Sequence, residues 1–168
     1  MKQTYWLKIF GCAAILAASN IAAHPAAAAT VVALGASNTY GKGVARNQAF
    51  PAQLEAILRA RGLNVRVINA GINGDTTEGM LRRMDSAVPN GTSAVILQPG
   101  GNDGRKGSPD RTAEIQGRLS ARGIHVIMLP NNVFRGLPHQ PDGQHLTPEG
   151  YYMVAESLAS QVAGAVGR

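Results

Sequence analysis

A serine, a histidine and an aspartate occupy positions that would together suit acyl transfer. Ser37 comes just after Gly35, where an apolar run turns towards a helical pattern. A serine hydroxyl at such a turn is exposed, but it is a poor nucleophile until a base removes its proton. His145 is the candidate base, and Asp142 precedes it with Gly143 in the turn between them. A tight turn would let this carboxylate hold the imidazole Nδ1–H, which leaves Nε2 to take the serine proton.

Acyl transfer also needs hydrogen-bond donors for the oxyanion of the tetrahedral intermediate. The candidates are the backbone N–H groups of Ser37 and Gly74 and the side-chain amide of Asn102. Gly74 suits this role because a residue without a Cβ lets the backbone approach a substrate. Each of these residues alone is equally compatible with a turn or a helix cap. The prediction of an active site therefore depends on their meeting in space.

Four apolar runs alternate with four helical patterns, and these elements would position the candidate residues. The runs are 30–35, 65–69, 94–98 and 124–129; the helical patterns are 50–61, 78–87, 109–122, with Ser108 as its cap, and a last one that begins at Thr147. Short runs that are apolar on both faces are typical of buried parallel strands. The order predicts an α/β fold, a three-layer α/β/α sandwich around a flavodoxin-like parallel sheet of about four to five strands.

Each polar, glycine-rich segment follows one of the predicted strands. These segments are 35–39, 69–76, 99–103 and, after a loop, 142–147. In an open parallel sheet, ligands bind outside the carboxyl ends of the strands. The sequence therefore predicts that the candidate residues converge on one edge of the sheet.

The first 29 residues have the pattern of a secretory signal peptide. Lys2 and Lys8 precede an apolar run, and small residues follow up to Ala29. The run is shorter than the roughly 20 residues of a membrane span, which argues against a retained anchor helix. We expect cleavage after Ala29, with Ala23 as the alternative, and a periplasmic or secreted protein without a stable membrane anchor.

The domain that remains, residues 30–168, contains no cysteine, because the single Cys12 lies in the signal segment. The residues before Cys12 faintly resemble the lipoprotein box of bacterial lipoproteins. We therefore expect no disulfide and no thiolate metal site, and the residues imply neither a metal nor an organic cofactor. The net charge of the whole chain is +6, but its basic residues are scattered and no aromatic residues stand between them. This pattern argues against a nucleic-acid partner.

Together the four segments resemble the SGNH hydrolase family, which is named for a Ser, a Gly, an Asn and a His in separate blocks. Ser37, Gly74, Asn102 and His145 match these residues in order, and Asp142 matches the family's D-x-x-H pair. The resemblance spans nearly all of the chain after the signal segment.

The segments 69–76 and 100–104 are most similar to the branch of periplasmic thioesterases, lysophospholipases and arylesterases. The resemblance implies a serine hydrolase that cleaves carboxylic ester or thioester bonds through an acyl-enzyme, without a cofactor. Its implied partner is a small-molecule ester or an acylated carrier. We also expect Asn38, Asp75 and Phe134 to contact that substrate.

Two features depart from the family pattern. Ala36 replaces the aspartate of the usual Gly-Asp-Ser, and only residues 130–141 stand where longer members have a further helix and strand. We therefore expect a sheet of four main strands and a cleft with fewer walls. A free sheet edge would also allow a homodimer.

Two other functions are compatible with the sequence. A non-catalytic module for glycans or lipids could retain the fold, and Gly41-Lys42-Gly43 after a strand is a feature of phosphate loops, although the rest of those motifs is absent. The serine does not lie in the Gly-x-Ser-x-Gly elbow of the α/β-hydrolases, because Thr39 occupies the last position.

Overall fold

Four short runs rich in valine, isoleucine and leucine form the strands of the computed structural model, which describes residues 27–167. They are β1 (Ala29–Gly35), β2 (Val65–Gly71), β3 (Thr92–Gln98) and β4 (His125–Met128). All pair in parallel, in the order β2-β1-β3-β4. The central strands β1 and β3 are buried along most of their length, which explains why their sequences are apolar on both faces.

Helices connect the strands and cover the sheet on both sides. They are α1 (Ser37–Tyr40), α2 (Phe50–Ala60), α3 (Thr77–Ala87), α4 (Asn102–Lys106), α5 (Thr112–Ala121) and α6 (Pro148–Val166). The chain moves from β1 outward to β2 and then crosses to β3 and β4 on the other side. The strand order therefore reverses between β1 and β3, and such a switch point is where open parallel sheets form a crevice.

Alternate side chains of β1 enter two separate cores. Val31 and Ala33 pack with α2 and α6, whereas Val32 and Leu34 pack with α3 and α5. This division follows from the two-residue period of a strand. The predicted three-layer α/β/α sandwich with a four-stranded parallel sheet is confirmed.

The predicted start of one helix was wrong. Residues 109–122 were expected to form a helix capped by Ser108, but α5 begins at Thr112. The N–H of Arg111 instead donates to Thr77 Oγ1 at 2.7 Å, and the N–H of Ser108 donates to the carbonyl of Asp103. These contacts hold residues 108–111 against α3 and α4, outside the helix.

The predicted signal segment lies outside the described residues, as does Cys12, except for its last three alanines. Ala29 is already part of β1, and its N–H donates to the carbonyl of Asn64 at 2.9 Å. Within residues 27–167, no helix is both long and apolar enough to span a bilayer. The outer strands of the sheet are β2 and β4, and a homodimer through either edge stays a prediction.

Candidate active site

A cavity of about 370 Å³ opens at the carboxyl edge of the sheet, beside the switch point between β1 and β3. Its walls come from the segments after β1, β3 and β4, which are three of the four segments expected to meet at this edge. The fourth segment, 69–76 after β2, contributes no residue to the wall. Ser37, Asn102 and His145 all line it, although they lie far apart in the chain.

The histidine and the aspartate form a tight local pair. His145 Nδ1 lies 2.5 Å from Asp142 Oδ2, and Asp142 Oδ1 accepts the backbone N–H groups of Gln144 and His145 at 2.9 Å each. The hydrogen bond from the His145 side chain, followed by these two backbone bonds, holds the pKa of Asp142 well below its usual range. The carboxylate therefore stays ionised and fixes the proton on Nδ1, so that Nε2 is the basic nitrogen.

A short bridge holds the loop that carries this pair. His139 and Leu146 form an isolated antiparallel bridge, and Gln140 reinforces it because its N–H donates to the carbonyl of His145 at 2.7 Å. The loop then passes directly into α6, where the Thr147 side chain caps the helix by accepting the N–H of Gly150 at 3.2 Å. His145 is consequently buried, with 6% of its surface exposed.

Three hydrogen bonds join the serine segment to the histidine segment. Gln140 Nε2 donates to the carbonyl of Lys42 at 2.8 Å, and Asn38 Nδ2 donates to the carbonyl of Gln144 at 3.4 Å. Tyr151 Oη donates to Asn38 Oδ1 at 3.1 Å. Burial raises the pKa of Tyr151 to about 12, so its hydroxyl keeps the proton that it donates. These contacts hold α1 against the loop of His145.

Hydrogen bonds to Gln98, the last residue of β3, hold the turn that presents Ser37. Gln98 Oε1 accepts the N–H of Ala36 and the hydroxyl of Thr39, each at 3.0 Å, one on either side of the serine. Gln98 Nε2 donates to Asn131 Oδ1 at 3.0 Å, which connects the turn to the loop after β4. Because Gln98 is only 1% exposed, these bonds do not compete with bulk water.

Asn102 begins α4 with its amide side chain at the cavity. Its Nδ2 donates to the carbonyl of Asp75 at 2.7 Å, and its Oδ1 accepts a bond from Arg105 Nη2 at 2.7 Å. A side-chain amide has two N–H donors. The carbonyl of Asp75 therefore uses one donor and leaves the other for a group in the cavity.

Comparison with known proteins identifies the family. Residues 33–163 match the GDSL-like lipase/acylhydrolase family. The chain belongs to this family. Esterase TesA of Pseudomonas aeruginosa is 31% identical over 129 residues, which cover 73% of this chain and 62% of the relative. An arylesterase of Vibrio mimicus is 30% identical over 115 residues, which cover 65% of this chain and 58% of the relative.

The chain thus spans about three fifths of the length of these curated relatives. Among solved structures, the psychrotrophic esterase EstA from Pseudoalteromonas sp. is similar with a TM-score of 0.67 and 16% identity. The match covers 83% of this chain and 99% of EstA. At this identity the likeness shows a shared fold.

In this GDSL-like chain, Ala36 stands where the Gly-Asp-Ser pattern has an aspartate. It is buried, and a Cβ built on Gly100 would lie 3.1 Å from the Ala36 Cβ. Gly100 has a φ of +76°, a conformation that favours glycine. The small residue at position 36 therefore lets the loops after β1 and β3 pack closely, while Gln98 holds the turn through its backbone.

Two residues predicted to contact the substrate or its oxyanion, Gly74 and Asp75, do not line the cavity. Gly74 has a φ of +72°, and its carbonyl accepts a bond from Lys106 Nζ at 2.5 Å. The Asp75 carboxylate is bound to Arg83 at 2.8 Å and to the N–H of Thr76, with only 11% of its side chain exposed. Asp75 therefore ties the loop after β2 to α3, and the structure does not bring it to the substrate cavity.

The remaining predicted residues lie at or beside the cavity. Asn38 and Phe134 line it together with Ser37, Asn102 and His145, and Asp142 lies behind the imidazole. Within the described part of the chain, no cluster of histidine, cysteine, aspartate and glutamate could hold a metal ion.

Sequence reasoning did not identify the residues that support the site. They are Gln98, Arg105, Gln140 and Tyr151. One signal was available: Gln98 is a polar residue at the end of an otherwise apolar strand. A buried polar side chain must find partners, and this requirement marks such positions for attention.

Proposed function

We propose that this chain is a serine hydrolase that cleaves carboxylic ester or thioester bonds through an acyl-enzyme on Ser37. The observation that carries the proposal is that Ser37 lines the same cavity as His145, whose imidazole is held by Asp142. Membership of the GDSL-like lipase/acylhydrolase family supports the same chemistry. The esterase names of two relatives agree with it.

In the proposed reaction, Ser37 Oγ attacks the carbonyl carbon of the ester while His145 Nε2 accepts its proton. Asp142 stabilises the imidazolium that forms and keeps the ring in the required tautomer. The imidazolium then returns the proton to the leaving alcohol or thiol, and the acyl group stays on the serine. Water, activated by the same imidazole, releases the acid and restores the hydroxyl.

The oxyanion of each tetrahedral intermediate needs donors in place before the reaction. The free N–H of the Asn102 amide is the side-chain candidate, supported by its position in the cavity wall. The backbone N–H of Ser37, which also lines the cavity, is a second candidate. The N–H of Gly74 stays a prediction, because Gly74 is not among the residues of the cavity wall. Removing one such donor raises the barrier by roughly 2.7–4 kcal/mol in a well-studied serine protease, so Asn102→Ala should lower kcat markedly.

Hydrolysis of short-chain 4-nitrophenyl esters tests the proposal. We expect wild-type protein to release nitrophenol and Ser37→Ala to lose this activity while it keeps the fold. Ser120→Ala, which changes an exposed serine of α5, is the matched control and should retain wild-type turnover. Equal turnover by wild type and Ser37→Ala would contradict the mechanism.

We also propose that the protein is exported, to the periplasm or beyond the cell. The support is the order of Lys2, Lys8, the apolar run and the alanines that end at Ala29. Cleavage after Ala29 would remove the first residue of β1, whereas cleavage after Ala23 would leave the whole strand. The intact mass of the exported protein distinguishes the two sites, and a full-length cytoplasmic product would contradict export.

A further inference from the structure

The charged residues of the active-site cavity are all of one sign. Arg105 of α4 and Arg135, next to the cavity residue Phe134, both contribute to the wall. No aspartate or glutamate is among the residues that line it. A neutral ester would gain nothing from this arrangement, whereas an anionic one would be attracted by both guanidinium groups.

Arg135 presents a charge that the rest of the protein does not neutralise. It is exposed, and within residues 27–167 its guanidinium makes no ion pair. Other arginines of the chain do have carboxylate partners, such as Arg83 with Asp75 and Arg118 with Glu114. The guanidinium of Arg135 is therefore available to a ligand.

Arg105 brings the second charge next to the reaction centre. One of its N–H groups donates to Asn102 Oδ1 at 2.7 Å. A guanidinium has five N–H donors in a planar fork, so this contact fixes its position without using its capacity to bind an anion. Because Asn102 is the proposed oxyanion donor, this charge lies one side chain away from the scissile carbonyl.

The nearby carboxylates are engaged outside the cavity. Asp103 accepts the N–H and the hydroxyl of Thr77, and Asp142 is bound to His145. Asn131 adds a neutral group to the wall: its Oδ1 accepts from Gln98, which leaves its amide nitrogen as a donor. Arginine forks and amide donors together are the groups that bind carboxylates and phosphates.

We propose that the substrates of this site are esters that carry an anionic group, a carboxylate or a phosphate, close to the scissile bond. This inference rests on the proposed esterase function and names the substrate class for it. Arg105 and Arg135 bind the anion, and the anion directs the ester carbonyl towards Ser37.

Two pairs of esters test the inference, and each pair differs in one charge. Mono-4-nitrophenyl adipate carries a carboxylate on the acyl group, and its methyl ester is the neutral match. 4-Acetoxybenzoate carries it on the leaving group, with methyl 4-acetoxybenzoate as the match. We expect about tenfold higher kcat/KM for the anionic member of at least one pair, and the pair that shows it locates the anion.

Charge variants connect that preference to the two arginines. Arg105→Gln and Arg135→Gln should each lower the ratio of anionic to neutral kcat/KM, and Arg135→Glu should bring it below one. Arg66→Gln on β2 removes the same charge from an exposed position at the start of a strand, and it should keep the wild-type ratio. Raising the salt concentration should reduce the wild-type preference, because exposed charges are screened.

The outcomes separate this inference from the proposed function. Hydrolysis of the neutral esters without any preference for their anionic partners would overturn the anion site and leave the esterase intact. A preference that survives in both glutamine variants would also overturn it. If no ester of either pair is hydrolysed, the proposed esterase function itself fails.

Discussion

The contact between Asp142 and His145 depends on the negative charge of the Asp142 carboxylate, and acid removes that charge. The carboxylate accepts three hydrogen bonds, one from the imidazole and two from the backbone. All three favour its ionised form over the protonated one, which is why the pKa is depressed. The loop should therefore depend on Asp142 remaining ionised.

We expect acid to remove the stabilisation that Asp142 provides. Because its folded-state pKa is depressed, its contribution is complete above the ordinary pKa of about 4 and is lost as the pH falls further. The difference in unfolding free energy between wild type and Asp142→Asn should therefore shrink between pH 6 and pH 3. Urea denaturation at both pH values measures it, with Asp85→Asn on the exposed face of α3 as the control. A difference that does not change would contradict the assignment.

Gln98 is predicted to position the nucleophile through its acceptor oxygen. In Gln98→Met the N–H of Ala36 and the hydroxyl of Thr39 lose their buried partner, which costs about 1–3 kcal/mol for each unsatisfied donor. Gln98→Glu keeps an acceptor for both. We expect the methionine variant to lose stability and kcat and the glutamate variant to retain more of each. Methionine and glutamate variants with equal activity would show that this oxygen does not hold the turn.

The sequence indicated the local pair of Asp142 and His145, but it did not indicate the distant contacts that hold their loop in place. Asp142 and His145 are three positions apart, so their pairing could be inferred from a tight turn. Gln140 and Tyr151 contact partners about a hundred positions away, and nothing near them in the chain indicates those contacts. Asp75 was expected to contact the substrate, but Arg83, in the second turn of α3, binds its carboxylate.

At the scale of elements, close packing sets the position of the nucleophile. The short helix α1 lies against the end of β2, so closely that only a glycine fits at position 71. A Cβ at Gly71 would lie 2.2 Å from the N of Tyr40 and 2.6 Å from the carbonyl carbon of Thr39. Both atoms are backbone of α1, so the helix itself would have to move.

Gly71→Ala should therefore impair the enzyme and the fold together. Overpacking of this kind typically costs about 1–3 kcal/mol, and displacement of α1 should lower kcat for short esters. Gly117→Ala, in the middle of α5 with no atom within 4 Å of the new Cβ, is the matched control and should stabilise by up to about 1 kcal/mol. Thermal unfolding and ester hydrolysis measure both effects. A Gly71→Ala protein with normal stability and turnover would contradict this packing.

The longer elements were predictable and the short ones were not. All four strands and the helices α2, α3 and α6 begin within about two residues of their predicted starts, because strand and helix periods are clear in the sequence. The helices α1 and α4 have four and five residues, which is too few to show a helical period. They nevertheless carry Ser37 and Asn102, so the site depends on the elements with the weakest sequence signal.

At the scale of the whole molecule, one sheet joins two apolar layers. Leu54 of α2 belongs to one core and Leu119 of α5 to the other, and both are fully buried. Because β1 and β3 contribute side chains to both cores, neither layer should be stable without the other. The described chain should therefore unfold as one unit.

We expect Leu54→Ala and Leu119→Ala each to lower the free energy of unfolding by about 2–5 kcal/mol. In both variants the unfolding transition should remain single and should coincide when followed by far-ultraviolet and near-ultraviolet circular dichroism. Two separate transitions, each shifted by only one of the substitutions, would show that the layers are independent.

The location of the reactive serine is the most direct test of the whole account. Treatment with a fluorophosphonate followed by peptide mass spectrometry reports which side chain is activated, and how fast. We predict a single adduct on Ser37, formed at least a hundredfold more slowly in His145→Gln. No adduct on the folded protein, an adduct on another residue, or equal rates in wild type and His145→Gln would contradict a nucleophile at position 37 that depends on the imidazole at 145.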